Sequence, residues 1–391
     1  MKLTKIIEGG NEYDVPIPSS FDSIPRKSDE SFFNTYQELN RDISVLVLRN
    51  HSNSRNKKDF AACEPFGGVG VRSCRYAVET PVTNIYYNDV SKEALKIVEK
   101  NISNLPSNFK AKISISNLEF TDFINYLYSK KQIMDFIDID PYGSPISYVH
   151  SSLKLITISG LLAFTATDLA SLTGLYPRAL YSKYGIGVFE KRIGNVHELA
   201  IRTLITGIQH VGLTQKQSLL PVLTLYHRHF IRTFMIRMRG VDKVLDKTGF
   251  LCQCRKCRLI FKTGLKNKHY SCPNCGNHPY RIGPLYLGTI HDDTLLRDIV
   301  KDLHVKSFNR SKNITKILNI MIQENNMNIP WSYDIQKLTK NIGIPIPPLD
   351  EISQHLREIG YKFSKTHFSG SCIKTDAPIE EIYSILAKLT K

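Results

Sequence analysis

Between Asp59 and Ala166 short apolar runs alternate with helix-period segments, and this alternation most restricts what the chain can fold into. Asp59-Phe-Ala-Ala-Cys63 reads as a strand, and Gly70–Glu79 as the helix after it. Asn84-Ile-Tyr-Tyr87 reads as a second strand, followed by a helix from Ser91, a good N-cap residue, to Ile102. Ala94, Leu95, Ile97, Val98 and Ile102 can share one face of that helix. Lys112–Ile115, Ile133–Ile139 and Leu161–Thr165 read as three further strands. Strands separated by helices need crossover connections, so the predicted class is α/β, with a parallel sheet covered on both faces.

Sheets of this kind bind ligands at the carboxyl ends of their strands. The first such loop is Glu64-Pro-Phe-Gly-Gly-Val-Gly70. Its glycines, Gly68 among them, let backbone approach a ligand closely, and Glu64 can meet a cationic or hydroxylated group. Asp89, with Val90 beside it, ends the second strand about 20 residues beyond Gly70, the offset at which an acid meets ribose hydroxyls. Loop, acid and alternation together point to an adenosine-containing cofactor. A nicotinamide dinucleotide calls for a third glycine where this chain has Ser73, with Arg72 between. S-adenosylmethionine carries a sulfonium and an amino-acid tail that suit Glu64 and nearby arginines, and is the favoured cofactor. The predicted amino-terminal fold is a Rossmann-like class I methyltransferase domain.

The fourth strand runs into Asp138-Ile-Asp-Pro-Tyr-Gly-Ser-Pro145. A carboxylate, a proline and an aromatic at a strand end can serve a planar base with a weakly nucleophilic amine. The carboxylate accepts an amine hydrogen, Pro141 fixes the backbone, and Tyr142 stacks on the base. Taken alone, Pro-Tyr-Gly would be a turn ending a strand; the cofactor loop upstream decides for chemistry.

The chain has 391 residues, enough for two or three domains, and its 42% hydrophobic and 23% charged content fits a globular protein. No apolar run reaches membrane-spanning length. Met1–Tyr13 has neither an apolar core nor a cleavage pattern, so a cytoplasmic protein is expected, nuclear in a eukaryote. The net charge is +16, and Leu223–Ile290 alone holds 13 Lys and Arg against Asp242 and Asp246, which makes nucleic acid the expected partner. Asn50–Lys58 reads as a polar loop.

Five of the eight cysteines crowd into Cys252–Cys275. Cys254-x-x-Cys257 and Cys272-x-x-Cys275 can set four thiolates tetrahedrally around zinc, with Cys252 as an alternative ligand and redox chemistry as the rival. A closed four-thiolate set leaves no position for chemistry, so the zinc is expected to be structural. Tyr226–Arg239 has strand-like alternation and is expected to finish the catalytic sheet. Ser311–Lys391 reads as helices, a turn-rich strand piece and a last helix, Ile379–Leu389.

Six stretches, in order, resemble the tRNA (guanine-26,N2)-dimethyltransferases over nearly the whole chain. They are Asn40–Leu46, Gly70–Glu79, Asp138–Pro145, Thr165–Asp168, Gly283–Tyr286, and Ser364–Phe368 with Ile373–Pro378. The resemblance implies that Arg41 and Arg72 contact the cofactor, one of them at its carboxylate. It implies that Asp89 holds the ribose, that Asp140 accepts hydrogen from the guanine amine, and that Tyr142 stacks on the base. Phe32 matches an aromatic that closes the site. The family often has an Asp-Ala pair at the adenine; here the equivalents are Asn117 and Leu118, with Glu119 as a substitute. Asp138 is the rival of Asp140, and otherwise supports the loop or the cofactor amino group. Ser364–His367 and Lys374 suit phosphate contact.

The reading is an S-adenosylmethionine-dependent methyltransferase domain over 1–245, followed by an α+β, zinc-ribbon-bearing, tRNA-binding region over 246–391. It is expected to act on tRNA as a monomer, without a membrane or an obligate protein partner. Amino-methylation of DNA adenine or ribosomal guanine, and a non-catalytic zinc RNA-binding protein, are the alternatives.

Overall fold

The computed structural model describes residues 2–17, 33–189, 195–267, 270–305 and 308–389. The chain divides into two compact units interleaved in sequence. Unit 1 holds residues 1–166, 234–238 and 294–316, and unit 2 holds the rest.

Unit 1 opens with an antiparallel hairpin, β1 (Leu3–Glu8) and β2 (Asn11–Pro16). Helix α1 (Glu38–Arg55) follows and packs on the unit's core. Then come β3 (Ala61–Glu64), α2 (Val71–Glu79), β4 (Asn84–Asn88), α3 (Lys92–Ser103), β5 (Lys112–Ser116), α4 (Phe120–Ser129), β6 (Met134–Ile139), α5 (Ile146–Ser152) and β7 (Ile156–Ala166). The strands pair in parallel in the order β5-β4-β3-β6-β7, and residues 234–238 form the next strand. The α/β expectation therefore holds, and the carboxyl ends of five strands share one edge.

Local chemistry explains most element limits. Ser91 accepts the N–H of Ala94 and caps α3. Gly70, in the left-handed region (φ +77°), starts α2; a Cβ there would sit 2.1 Å from Val98 Cγ2. β7 is longer than expected because its pairing with β6 jumps between Met134 and Phe136, beside Ser159 at φ +60° and Gly160. The loop expected over Asn50–Lys58 is instead helical to Arg55. Asn50 donates to the Leu46 carbonyl (2.9 Å) and to Asp302 (3.2 Å), and Ser52 and Ser54 bond back to Arg49 and His51 carbonyls. Polar side chains that would have favoured a turn satisfy themselves on the helix.

Unit 2 contains α6 (Leu169–Leu172), α7 (Pro177–Tyr184), β8 (Gly187–Phe189), α8 (Val196–Thr214), β9 (Gln217–His227) and the start of β10 (Phe230–Arg239). An antiparallel sheet in the order β12-β11-β13-β8 uses β11 (Thr248–Cys254), β12 (Ile260–Gly264) and β13 (Pro279–Tyr286). A second small sheet joins Tyr333–Asp334, Phe363–Thr366 and Ser369–Thr375 beside helices Ile335–Ile342, Leu349–Glu358 and Ile379–Leu389. The core of unit 2 gathers Leu199, Leu204, Ile208, Leu251, Ile282 and Leu285, all buried.

The phosphate-contact expectation at Ser364–His367 and Lys374 is overturned for Ser364, His367 and Lys374. Ser364 is buried and bonds the Lys365 carbonyl (2.7 Å). Lys374 is buried, donating to the Ile329 carbonyl (2.8 Å) and pairing with Glu198 (2.7 Å). The His367 side chain is also fully enclosed. No helix among the described residues is long and apolar enough to cross a membrane.

Candidate active site

Helix α2 carries Arg72 into the edge where β3 and β6 end, and three acids from those strands and their loops converge on it. Its Nε pairs with Glu64 (3.3 Å), its Nη1 with Asp138 (3.2 Å) and its Nη2 with Asp140. Nη1 also meets Asn40 Oδ1 (3.1 Å) and Ser44 Oγ (3.3 Å), both on α1. Tyr76, one helical turn on, donates to Asp138 Oδ2 (2.5 Å). Asp138 is wholly buried, whereas Asp140 keeps 13% of its side chain exposed. Burial pushes the Glu64 carboxyl up to about 8, with Arg72 opposing and Asp138 and Asp140 adding. One guanidinium thus faces three acids, an excess of acidic groups over the single cation they share.

This cluster forms one wall of a cavity lined by Phe33, Arg41, Phe66, Gly67–Val69 and Val71 as well as Glu64, Arg72 and Asp140. Arg41 is held by both oxygens of Glu8 and lies over the Phe33 ring (4.6 Å). Gly67 is required by space, since a Cβ would fall 2.0 Å from the Tyr87 ring.

The next two strand ends are tied together. Asp89 accepts the Gly68 N–H (2.8 Å) and the Ser91 N–H (2.8 Å), which binds the glycine loop to the end of β4. Burial raises its carboxyl against those two donors. Asn117 donates to the carbonyls of Asp89 (2.8 Å) and Val90 (2.9 Å), and Leu118 N–H bonds Asn88 Oδ1 (3.0 Å). A cavity with acids gathered on its wall, beside an acid-bearing ribose-type loop, suits a cationic adenosine derivative.

The sequence matches the N2,N2-dimethylguanosine tRNA methyltransferase family over residues 14–387. The chain belongs to this family. It is similar to a tRNA (guanine(26)-N(2))-dimethyltransferase from Methanosphaera stadtmanae, at 31% identity covering 98% of this chain and 96% of that one. A protein of the same description from Pyrococcus abyssi is 28% identical, covering 99% of each. Among solved structures, Trm1 from Pyrococcus horikoshii in complex with S-adenosyl-L-methionine superposes with a TM-score of 0.81. It is 28% identical and covers 98% of this chain and 100% of that one. The methyltransferase fold expected from the strand pattern is thereby shown.

Of the site residues expected from sequence, Arg41, Glu64, Gly68, Arg72 and Asp140 line one cavity. Asp89, Val90 and Asn117 form a second, bonded group, with Leu118 tied beside it to Asn88. Tyr142 follows Pro141 with 45% of its surface exposed, and Asp138 lies beneath the cavity, behind Arg72. Phe32 lies outside the described residues. Phe33, Phe66 and Tyr76 were missed. Phe66 stacks on Phe120 (5.4 Å) and packs edge-on against Tyr148 (4.8 Å), an aromatic floor drawn from three separate loops and helices. Only Tyr76, one turn beyond Arg72 on a predicted helix, carried a sequence signal.

In unit 2 the family member gathers Cys254, Cys257, Cys272 and Cys275. Sγ atoms of Cys254 and Cys275 lie 3.4 Å apart and those of Cys257 and Cys272 3.5 Å apart. Tetrahedral thiolates on zinc would stand about 3.8 Å apart, from Zn–S bonds of about 2.3 Å. The donor set fits that ion. Cys252, the alternative ligand, turns instead to Thr263 Oγ1 (3.9 Å).

A second group, His291, Glu324 and His367, also converges, but its rings are already engaged with strand β9, the outer strand of its sheet. Thr224 N–H donates to His291 Nδ1 and Tyr226 N–H to His367 Nε2, each at 3.3 Å. With Nε2 accepting, His367 carries its proton on Nδ1 and donates it to Glu324 (2.8 Å). The two imidazoles thus satisfy outward N–H groups of an edge strand.

Proposed function

We propose that this chain methylates the exocyclic N2 of guanine 26 in tRNA, first once and then twice, using S-adenosylmethionine. The observation that carries this reading is the excess of carboxylate around Arg72, opening on the cavity at the strand ends of a chain from this family. Bound there, S-adenosylmethionine would supply a methyl group made electrophilic by its sulfonium. The acids gathered around Arg72 attract that cation, and Arg41 and Arg72 meet its carboxylate. Asp89 with Val90 takes the ribose, and Asn117 with Leu118 flanks the adenine; Glu64 and Gly68 shape the first loop.

Guanine N2 is a poor nucleophile because its lone pair is delocalised into the ring. Asp140 accepts hydrogen from that amine and takes the proton as the new C–N bond forms. Holding the amine in line supplies further acceleration through orientation. Pro141 fixes the backbone after Asp140, and Tyr142, with its ring open to solvent, stacks on a base flipped out of the tRNA. Asp138 supports the loop, holding Arg72 and Tyr76 rather than touching the base.

Division of labour belongs to the same reading: residues 1–245 perform methyl transfer, and 246–391 bind tRNA as a monomer. The four cysteines hold a structural zinc that closes a ribbon between β11, β12 and β13, and no step of the reaction passes through it. The protein acts in the cytoplasm, or in the nucleus of a eukaryote.

The test is incubation of the purified chain with unmodified tRNA and labelled cofactor, followed by nucleoside analysis. Label is expected in N2-methylated guanosine at position 26. Label in adenosine, in another guanosine, or nowhere would overturn the reading. Metal analysis is expected to find one zinc per chain, lost in a Cys254→Ser, Cys275→Ser variant.

A further inference from the structure

Helix α7 presents a surface that neither the cavity nor the cysteine cluster explains. Leu175, Tyr176 and Tyr181 are 53%, 58% and 67% exposed, within one seven-residue stretch. Exposed apolar side chains scattered singly need no explanation, but a cluster containing two tyrosine rings does. Arg178 and Lys183 are exposed on the same helix. No acidic residue occurs between Asp168 and Glu190.

The rings stand on a fixed base. Pro177 occupies the first turn of α7, and Gly185 ends it in the left-handed region at φ +71°. Leu180 and Tyr184 are buried, so the opposite face of the helix is anchored in unit 2. Tyr184 donates to both oxygens of Asp168 (2.8 and 2.9 Å), and Lys183 pairs with the same carboxylate (3.3 Å). The platform is therefore set before anything binds, which lowers the entropic cost of binding.

We infer that α7 is a stacking platform for an unpaired base of the tRNA substrate, with Tyr176 and Tyr181 meeting base faces and Arg178 an adjacent phosphate. The inference rests on the tRNA reading of the preceding section and adds a contact outside the methyl-transfer pocket. Exposed aromatic rings with a cation, Arg178, between them in sequence are what a single-stranded stretch of RNA recognises; Lys183 is already held by Asp168. A second copy of the chain fits less well, because an isologous contact would bring Arg178 of both copies together. The other exposed aromatic pair, Tyr126 and Tyr128, differs: Lys130 lies over the Tyr126 ring (6.0 Å), and Asp122 stands on the same helix.

The experiment compares the full chain with Tyr176→Ser/Tyr181→Ser, Tyr176→Phe/Tyr181→Phe and Arg178→Gln, measuring affinity for an unmodified tRNA transcript at several salt concentrations. Binding of S-adenosylmethionine and the melting temperature report on the fold. The double serine variant is expected to lose roughly tenfold or more in tRNA affinity, with cofactor binding and melting unchanged. The double phenylalanine variant is expected to bind like the parent, and Arg178→Gln to reduce the salt slope by about 1. Parental affinity in the folded double serine variant would overturn the platform, as would a change confined to oligomeric state. If the parent itself neither binds nor methylates tRNA, it is the functional reading that fails.

Discussion

Around Arg72 one guanidinium serves three carboxyl groups, whereas around Glu198 one carboxylate serves two cations. Glu198 takes Arg202 Nε at 2.9 Å and Lys374 Nζ at 2.7 Å. The surplus donors of those cations are spent on backbone carbonyls, Tyr286 and Gly288 for Arg202 and Ile329 for Lys374. Burial pushes the Glu198 carboxyl up, but Lys374 and Arg202 outweigh it and hold it below its ordinary range. In unit 1 Arg72 cannot do the same for Glu64, whose carboxyl burial pushes up to about 8, with Asp138 and Asp140 adding to the rise. A buried cation in excess can end on carbonyls, which are everywhere in a fold. Around Arg72 three acids converge on one guanidinium, and two of them, Glu64 and Asp140, line a cavity where a positive ligand can join them. In the proposed reading the first network is a binding site, whereas the second is closed on itself.

The widest separation between them is expected in catalysis. Asp140→Asn should lower methyl transfer by roughly 10²- to 10⁴-fold while cofactor binding persists, measured in single-turnover assays. Near-normal rates would remove Asp140 from the role of base. A smaller, shared effect is expected in stability: Arg72→Gln and Glu198→Gln each leave buried charge uncompensated, at a cost of about 3–5 kcal/mol by urea unfolding. They should then part company, because Glu198→Gln keeps full activity per folded molecule and Arg72→Gln does not. Equal activity losses would erase the distinction between site and architecture.

The smallest effects are expected in the pH dependence of melting, and their signs differ. Glu64 has a folded value raised from 4.5 to about 8, so its stabilising contribution is complete below 4.5 and lost as pH rises to 8. His291 is held well below 6.5 by burial, then by His367, Lys374 and Arg202, so its contribution is complete above 6.5 and lost on acidification. Glu64→Gln should flatten the decline in melting temperature as pH rises from 4.5 to 8, and His291→Gln the decline as pH falls below 6.5. An unchanged profile in either variant would show that the group does not titrate on unfolding.

Much of unit 1 was legible because its signals are local. Strand alternation, the Ser91 cap, the glycine loop and the acid at 89 each depend on residues a few positions apart. The same holds for the cysteine pairs. Asn50–Lys58 misled because its polar side chains, which favour turns in isolation, found carbonyls on α1 and a partner in Asp302. Ser364, His367 and Lys374 misled in the opposite direction: charge and polarity suggested solvent, yet each is satisfied inside unit 2. The partners of Arg72 and Tyr76 were beyond reach, since Asp138 lies 62 residues from Tyr76 and no periodicity links them.

The sequence by itself determined the parallel α/β frame, the loops that would carry chemistry, the thiolate set and the family. Tertiary structure alone decided how many acids share Arg72 and that burial raises the Glu64 carboxyl among them. It also placed Asp138 beneath the cavity and Asp140 at its wall, and it enclosed His367 and Lys374. Pattern and motif report what a residue can do. Which partners it finds, and how much water remains near it, are set by segments far apart in the chain, and those decide its charge.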